Sequence, residues 1–473
     1  MKNEVSGRVR ETELLKAAIN SNRPELIAVY GRRRVGKTYL IRNVYRNETV
    51  FELTGLHNGN MPDQLQNFHL ALAQFDKNKS YENVPESWLE AFQRLEHFID
   101  SNKSSKKKVV FIDELPWLAT RKSKFMMAFE HFWNSYASNR NDLVVVVCGS
   151  AAAFMVNNIV RNKGGLHNRI TRKIRLLPFT LCETNQYLDR LGIRYSKYDV
   201  LKLYMTIGGI PHYLNYLVKG DSVDQCIDKL CFEKDGPLRT EFKDVFASLY
   251  ESPERHEAII RALAKTRIGL TRAQIIDKSG VSSGQRLTKT LQELEESGFI
   301  EWYTAFGKKQ HGAICRLNDE YCMFYLKFIE NSSAKGASTW INKANGQSYT
   351  SWLGFSFELA CLKHIPQIKT ALGIAAVDSE NYSWRGNDAQ IDLLIDRADN
   401  VINVCEMKFS SAEFTISKSY AGELRNKLNA FRLASGTRKN IFLTLISTFG
   451  LKQNAHSLEL VQKELKAEAL FVF

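Results

Sequence analysis

A glycine-bearing loop near the start of the chain has the residue types and the spacing that hold a phosphate group. This phosphate loop comprises Gly31, Arg32, Arg33, Arg34, Val35, Gly36, Lys37 and Thr38. It follows a short apolar run at residues 26–30 and precedes residues 39–45, whose apolar spacing is helical. Glycines let backbone N–H groups turn toward phosphates, Lys37 can reach the β- and γ-phosphates, and the Thr38 hydroxyl can ligate Mg²⁺. We therefore predict a site for ATP and Mg²⁺.

Two carboxylates follow a second apolar run. Residues 109–112 are apolar and end at Asp113 and Glu114. At the end of such a strand, after a phosphate loop, an aspartate holds the Mg²⁺ shell and the next glutamate polarises the attacking water. We predict these roles for Asp113 and Glu114.

A third apolar run, at residues 143–148, ends at Gly149 and Ser150. Its valines predict a central parallel strand that is buried on both faces. Ser150 then lies at the carboxyl edge of the sheet, where it could sense the γ-phosphate or the attacking water. The other interpretation is that Ser150 caps the helix that follows. One residue can serve both purposes.

Basic residues are frequent between Arg161 and Arg175, and Lys163 is among them. An arginine supplied to a neighbouring subunit's γ-phosphate is a recurrent device in phosphoryl transfer. Arg169 is the first candidate for such an arginine finger and Arg172 is the second. The alternative is that both arginines are structural or solvated residues beside a strand.

Two apolar runs near the C-terminus carry charged residues. Asp392 lies within residues 391–395, and Glu406 and Lys408 end the run 401–408. Alternation along a strand places Glu406 and Lys408 on one face. Asp392 and Glu406 can bind one or two Mg²⁺ ions, and Lys408 can position or activate the water that attacks a phosphodiester. Two carboxylates this close repel, so we expect at least one to have a raised pKa without metal. The alternative is that they form surface salt bridges.

The composition indicates a globular chain with an excess of positive charge. The 473 residues are 44% apolar and carry a formal net charge of +14, which favours anionic partners or serves solubility alone. The length predicts three or four domains. The eight cysteines include no CxxC pair, which is typical of a reduced compartment without disulfides or a zinc ribbon. No apolar run is long enough to span a bilayer, so we expect a cytoplasmic protein without a membrane partner.

Residues 253–318 predict three helices and a β-hairpin, a pattern typical of a winged helix-turn-helix domain. Polar residues expected on the exposed face of the third helix could meet DNA in the major groove. They are Ser282, Ser283, Gln285, Arg286 and Lys289. Lys308 and Lys309 at the hairpin tip could touch phosphates. The alternative is that this domain is a packing or partner surface.

Taken together, the N-terminal motifs resemble the archaeal-type ATPases of the AAA+/STAND P-loop group. The similarity includes Gly7-Arg8, the phosphate loop, IDELPWL at 112–118, CGS at 148–150, RITRKIRLLPF at 169–179 and GGIPHYL at 208–214. It implies a parallel α/β core and a helical lid whose Gly-x-Pro element, here ending at Pro211, closes over the nucleotide. The chain departs from AAA+ proteins because it has no clear lid arginine for the γ-phosphate. This departure leaves open whether it is a fast ATPase or a slow switch.

The C-terminal residues resemble the PD-(D/E)xK nuclease fold, a module that accompanies these ATPases. The resemblance implies a restriction-endonuclease-like α/β domain in which Glu358, on a helix beginning near Trp352, is the helix-borne acidic residue. Ile-Asp stands here in place of the family's Pro-Asp. The alternative is an inactive nuclease-like scaffold.

These observations predict a multidomain α/β chain. Its expected parts are a P-loop ATPase core with a parallel sheet (1–179), a helical lid (180–245), a winged helix-turn-helix (246–328), a linker or loose arm (329–350) and a nuclease-like domain (351–473). The predicted function is an ATP-hydrolysing switch or machine on nucleic acid, with DNA as the first choice, and with a Mg²⁺-dependent nuclease-like domain. The alternative is an ATP-controlled scaffold whose inactive nuclease-like domain binds a protein partner. An arginine finger would require a homo-oligomer.

Overall fold

The computed structural model describes residues 5–76, 82–104, 106–120, 122–161, 164–307, 313–332, 338–344, 346–386 and 389–472. Lys163, Lys308 and Lys309, named above, lie outside these ranges. The chain divides into two compact units. Unit 1 comprises Met1–Leu177, Ser248–Glu251 and Gln292–Gly298, and unit 2 comprises Pro178–Ala247, Ser252–Leu291 and Phe299–Phe473.

Unit 1 is built on a five-stranded parallel sheet. Its strands are β1 Glu25–Tyr30, β2 Thr49–Thr54, β3 Lys108–Asp113, β4 Leu143–Gly149 and β5 Arg172–Arg175. The strand order is β2-β3-β4-β1-β5, and every neighbouring pair is parallel. Strands β3 and β4 are buried along their whole length, which explains their unbroken apolar character. All carboxyl ends of the strands therefore meet at one edge, where the phosphate loop leaves β1.

Helices pack against this sheet. They are α1 Val9–Ile19, α2 Lys37–Val44, α3 Met61–Phe75, α4 Trp88–Ser101, α5 Leu115–Leu118, α6 Phe125–His131 and α7 Ala152–Phe154. Helix α6 continues as a π-helical segment over Phe132–Tyr136, and α7 continues likewise over Met155–Val160. Aromatic side chains fill the core between α4 and α6, where the Trp88 and Phe125 rings meet edge to face at 4.7 Å.

Unit 2 begins with helices at the residues predicted as a lid. They are α8 Leu181–Arg190, α9 Lys197–Ile207, α10 Pro211–Leu214, α11 Val223–Ile227 and α12 Glu241–Leu249. The turn before α10 needs glycine, because a Cβ on Gly209 would lie 2.1 Å from the Phe179 carbonyl oxygen. The region is helical as expected, and its role as a lid stays a prediction.

Three helices and a hairpin follow, in the predicted order. The helices are α13 Glu254–Ala264, α14 Arg272–Ser279 and α15 Gln285–Glu296, and the antiparallel strands are β6 Ile300–Tyr303 and β7 Ile314–Leu317. The residues of α15 from Gln292 onward belong to unit 1. Thr271 caps α14 in a capping box with Gln274. The five polar residues singled out between Ser282 and Lys289 are exposed. The DNA-binding interpretation of this segment stays a prediction.

The segment predicted as a loose arm, residues 329–350, is held firmly where the structure describes it. The Trp340 side chain is fully buried and stacks on Phe232, with ring centroids 5.4 Å apart. The Asp228 carboxylate accepts the backbone N–H groups of Ser338 and Trp340, at 2.6 and 2.5 Å. Trp340 is therefore anchored in spite of the polar composition around it, and the interpretation of residues 329–350 as a linker or arm stays a prediction.

The C-terminal part of unit 2 holds a second five-stranded sheet. Its strands are β8 Ser379–Arg385, β9 Gln390–Arg397, β10 Val401–Lys408, β11 Asn440–Ser447 and β12 Lys463–Lys466. Their order is β12-β11-β10-β9-β8, in which β10 pairs parallel with β11 and antiparallel with β9. The accompanying helices are α16 Glu320–Phe324, α17 Gln347–Lys363, α18 Ile365–Ala371, α19 Lys418–Ser435 and α20 Ala455–Leu460. None of the helices in the described ranges has both the length and the apolar composition needed to cross a bilayer.

Candidate functional site

The phosphate loop joins β1 to α2 with a backbone that requires glycine. Gly31 and Gly36 have φ angles of 149° and 90°, and a Cβ on Gly31 would lie 2.2 Å from the Leu176 carbonyl oxygen. The Lys37 ammonium donates to the carbonyl oxygens of Gly31 and Arg32, both at 2.9 Å, so it lies inside the loop. The loop therefore has the predicted strand–loop–helix setting and a buried lysine at its centre.

The two predicted Mg²⁺ ligands of this site are in contact. The Thr38 hydroxyl donates to the Asp113 carboxylate at 2.7 Å, across 75 residues of sequence. Asp113 ends β3 and is only 3% exposed. A hydroxyl and a buried carboxylate are oxygen donors of the kind that Mg²⁺ prefers, so these residues fit the ion.

Glu114 and Ser150 form a second contact at the same edge of the sheet. One carboxylate oxygen of Glu114, Oε2, accepts the Ser150 hydroxyl at 2.8 Å and the Ser150 backbone N–H at 3.0 Å. Glu114 adopts a left-handed conformation, with φ 47°. Helix α7 has Ala151 at its N-cap without a side-chain capping bond. The helix-cap interpretation of Ser150 was therefore wrong, because its hydroxyl donates a hydrogen bond to Glu114 instead.

The two candidate arginine fingers have different surroundings. The Arg172 guanidinium lies 3.2 Å from the Glu25 carboxylate, which is fully buried at the amino end of β1. This contact agrees with the alternative given above, that Arg172 is a structural residue, and its role as an arginine finger stays a prediction. Arg169 is exposed and stays the candidate. Pro211 lies in unit 2 at the start of α10, and its contact with nucleotide stays a prediction.

Contacts of the loop with Arg8 and Trp117 were not predicted from the sequence. The buried Arg8 side chain donates to the Val35 carbonyl oxygen at 3.2 Å. The Arg33 guanidinium lies over the Trp117 ring, 5.5 Å from its centroid, and Trp117 follows the two carboxylates of β3 by three residues. Arg8, Arg33 and Trp117 all lie in motifs that carry the family resemblance. Which of these motifs contact one another is visible only in the fold.

Fold and geometry together define the class of unit 1: it is a P-loop ATPase fold. A Walker-type ATPase of Pyrococcus abyssi aligns with 68% of this chain and 96% of its own length, at 18% sequence identity and a TM-score of 0.51. Residues 6–217 match a family described as an ATPase domain predominantly from Archaea. This part of the chain is therefore similar to archaeal-type ATPase domains, which agrees with that part of the resemblance. Such a domain implies nucleotide binding.

Two proteins of Methanocaldococcus jannaschii are similar in sequence. One, described as an uncharacterized protein, is 25% identical over 391 residues, which cover 82% of this chain and 83% of that protein. The other, described as an uncharacterized ATP-binding protein, is 46% identical over 43 residues, which cover 9% of this chain and 73% of that protein.

A second cluster of predicted site residues lies in unit 2. Glu358 on α17, Asp392 on β9, and Glu406 and Lys408 on β10 line one cavity of about 950 Å³. The structure thus brings together four residues from one helix and two strands. The register is consistent with this, since Leu393 pairs with Cys405, and Asp392 and Glu406 are the residues next to that pair on the two strands.

The carboxylates of this cavity have cationic partners from the chain itself. Asp392 accepts the Arg316 guanidinium at 2.9 Å. Glu406 lies 2.6 Å from the Lys427 ammonium and 3.0 Å from that of Lys408. No group of three or more His, Cys, Asp or Glu side chains within the described ranges is arranged to hold a metal ion. The residue types suit Mg²⁺, but their present contacts do not, so we derive no metal-dependent step at this site.

The pKa values follow these contacts. Burial raises the pKa of Glu358 to about 8, and the nearby charge of Asp392 adds to the effect. Burial alone would raise the pKa of Glu406 as well, but the charges of Lys427 and Lys408 and the hydrogen bonds from Lys427 and Tyr420 hold it below its ordinary value. We expected a raised pKa at one of the strand carboxylates; that of Glu406 is lowered instead, and the helix-borne Glu358 has a raised one.

Proposed function

We propose that unit 1 binds ATP with Mg²⁺ at the phosphate loop and hydrolyses it. The observation that carries this proposal is the direct contact between Thr38 and Asp113 beside the buried Lys37. The match of residues 6–217 to an ATPase domain family supports it.

Each residue at this edge of the sheet then has a distinct task. Thr38 and Asp113 hold Mg²⁺, which when bound neutralises charge on the phosphate oxygens. Lys37 neutralises negative charge on the β- and γ-phosphates, and the backbone N–H groups of the loop lie beside it. Glu114 accepts a hydrogen bond from the attacking water and orients it, because it follows Asp113 directly at the strand end. Ser150 holds the Glu114 carboxylate in place through its hydroxyl and N–H groups.

A phosphate-release assay on the full chain tests the proposal. Glu114→Gln should bind ATP with nearly unchanged affinity and lose turnover by about a hundred-fold or more, since the carboxylate acts chiefly in the transition state. Glu90→Gln is the matched control, because Glu90 makes its hydrogen bonds within and just before α4, with Arg94 and Glu86. Turnover by Glu114→Gln at the wild-type rate would refute the assignment.

We further propose that the protein works as a nucleotide-driven switch on nucleic acid, with DNA as the first choice. The exposed polar residues at the start of α15, among them Arg286 and Lys289, support this proposal. Binding of a fluorescent duplex should weaken with salt, and Arg286→Ala/Lys289→Ala should reduce it further. Absence of binding in both ATP and ADP would favour the second function, an ATP-controlled scaffold for a protein partner.

Arg169 acts across a subunit boundary in this proposal, so the active form is a homo-oligomer. Its exposure in unit 1 leaves its guanidinium accessible to a second copy. Specific ATPase activity should then rise with protein concentration, and Arg169→Ala should inhibit wild-type protein when the two are mixed. Activity strictly proportional to concentration in a monomeric preparation would exclude the trans arrangement.

A further inference from the structure

The Asp392 carboxylate in unit 2 has two donors on the same oxygen. Oδ1 accepts the Arg316 guanidinium at 2.9 Å and the Gln390 side-chain amide at 2.8 Å. The Arg316 side chain is 6% exposed, and its guanidinium also lies over the Tyr303 ring, 5.4 Å from the centroid. An arginine cannot lose its proton under these conditions, so this partner is permanently cationic.

Arg316 is held at this place by more than its ion pair. It lies on β7, and the chain leaving β6 is joined to the C-terminal sheet: the Phe306 N–H donates to the Ser383 carbonyl oxygen at 2.8 Å. The Phe306 ring packs edge to face on Tyr382 and Phe431, at 5.5 and 5.2 Å. The hairpin is thus part of the C-terminal core, and it carries Arg316 to the carboxylate cavity.

Both carboxylate oxygens of Glu406 also have partners from the chain. Oε1 accepts the Tyr420 hydroxyl at 2.7 Å and lies 3.0 Å from the Lys408 ammonium, and Oε2 accepts the Lys427 ammonium at 2.6 Å. Tyr420 and Lys427 are both on α19, whose side chains Leu424 and Phe431 are in the core. Two strand carboxylates therefore face three cationic side chains.

We propose that Arg316 and Lys427 take the place of a metal ion at the two strand carboxylates and keep divalent cations out of the C-terminal cavity. Mg²⁺ needs oxygen ligands at about 2.0–2.1 Å in near-octahedral geometry. Arg316 and Lys427 already bind an oxygen of each carboxylate, and their positive charges repel a second cation. The proposal concerns unit 2 alone and is independent of ATP hydrolysis in unit 1.

Manganese binding measured by electron paramagnetic resonance and calorimetry tests this proposal. The full chain is used without nucleotide and with Thr38→Ala, so that the phosphate loop does not contribute. We expect no stoichiometric Mn²⁺ site up to about 1 mM, the upper end of the range for carboxylate sites. Adding Arg316→Gln and Lys427→Met should create one Mn²⁺ site per chain that is about ten-fold or more tighter than that limit, because Arg316 and Lys427 no longer bind the carboxylate oxygens, while Lys408 stays beside Glu406. A further Asp392→Asn should abolish that site.

Two control variants separate charge from structure. Arg316→Lys keeps the charge and should stay free of Mn²⁺. Arg261→Gln removes another arginine of unit 2, whose ion pair is with Glu330, and should leave Mn²⁺ binding unchanged. The proposal is overturned if the Thr38→Ala protein itself binds one Mn²⁺ and loses it with Asp392→Asn, a test that does not depend on the stability of the Arg316 variants. It is also overturned if the folded Arg316→Gln/Lys427→Met protein gains no site.

Discussion

Replacement of Ser150 by alanine tests whether the position of the Glu114 carboxylate sets the rate of ATP hydrolysis. In the structure Oε2 of Glu114 accepts two hydrogen bonds from Ser150, one from the hydroxyl at 2.8 Å and one from the backbone at 3.0 Å. Ser150→Ala removes the first and keeps the second. Ser150 is only 3% exposed, so little water is available to replace the lost hydroxyl.

The size of the effect follows from the charge on the acceptor. A hydrogen bond to a charged group contributes about 1.5–3 kcal/mol. If that energy serves to orient the carboxylate, kcat should fall about ten- to hundred-fold, since each 1.4 kcal/mol or so is tenfold in rate. The contact does not involve the phosphate loop residues, so the Kd for ATP should change by less than about three-fold.

Steady-state phosphate release and calorimetry with a non-hydrolysable ATP analogue measure the two quantities separately. Ser150→Thr keeps the hydroxyl and should retain most of the activity. Equal loss of kcat in Ser150→Ala and Ser150→Thr would show that the hydroxyl is not the relevant group. An unchanged kcat in Ser150→Ala would refute the positioning argument altogether.

Three further predictions concern binding, folding and pH. Lys37→Ala should weaken ATP binding by about ten-fold or more in calorimetry, because the side-chain cation assigned to the β- and γ-phosphates is lost; equal affinity would contradict the loop assignment. Arg172→Gln should lower the free energy of unfolding by about 2 kcal/mol or more, because it leaves the Glu25 carboxylate buried without this cation, and it should not inhibit wild-type protein in mixtures. His364 is fully buried, and burial lowers its pKa to about 4 from an ordinary 6.5, so the unfolded chain takes up a proton first as the pH falls. The free energy of unfolding should therefore be highest above about pH 6.5 and fall toward pH 4 by up to about 3 kcal/mol. Urea titrations at several pH values should show a smaller fall for His364→Gln.

The phosphate loop could be found from sequence because its chemistry is local. Gly31 to Thr38 is a contiguous string, and the strand before it and the helix after it are visible as apolar runs. The carboxylates at the end of β3 were found for the same reason, since a buried parallel strand has an unbroken apolar pattern that stops where the charge begins. The burial of Trp340 within residues 329–350 could not be predicted, because composition does not show that Asp228 and Phe232 are its partners.

The sequence by itself determined the order of the elements, the phosphate loop and four of the charged residues that line the C-terminal cavity. Only the tertiary structure decided what those residues contact. In the structure the Ser150 hydroxyl donates to Glu114 rather than capping a helix, and Arg316 contacts Asp392, which is 76 residues away in the sequence. A sequence pattern records which face of a strand or helix a side chain occupies, whereas an ion pair between distant residues depends on how separate elements pack, and no local periodicity encodes that distance.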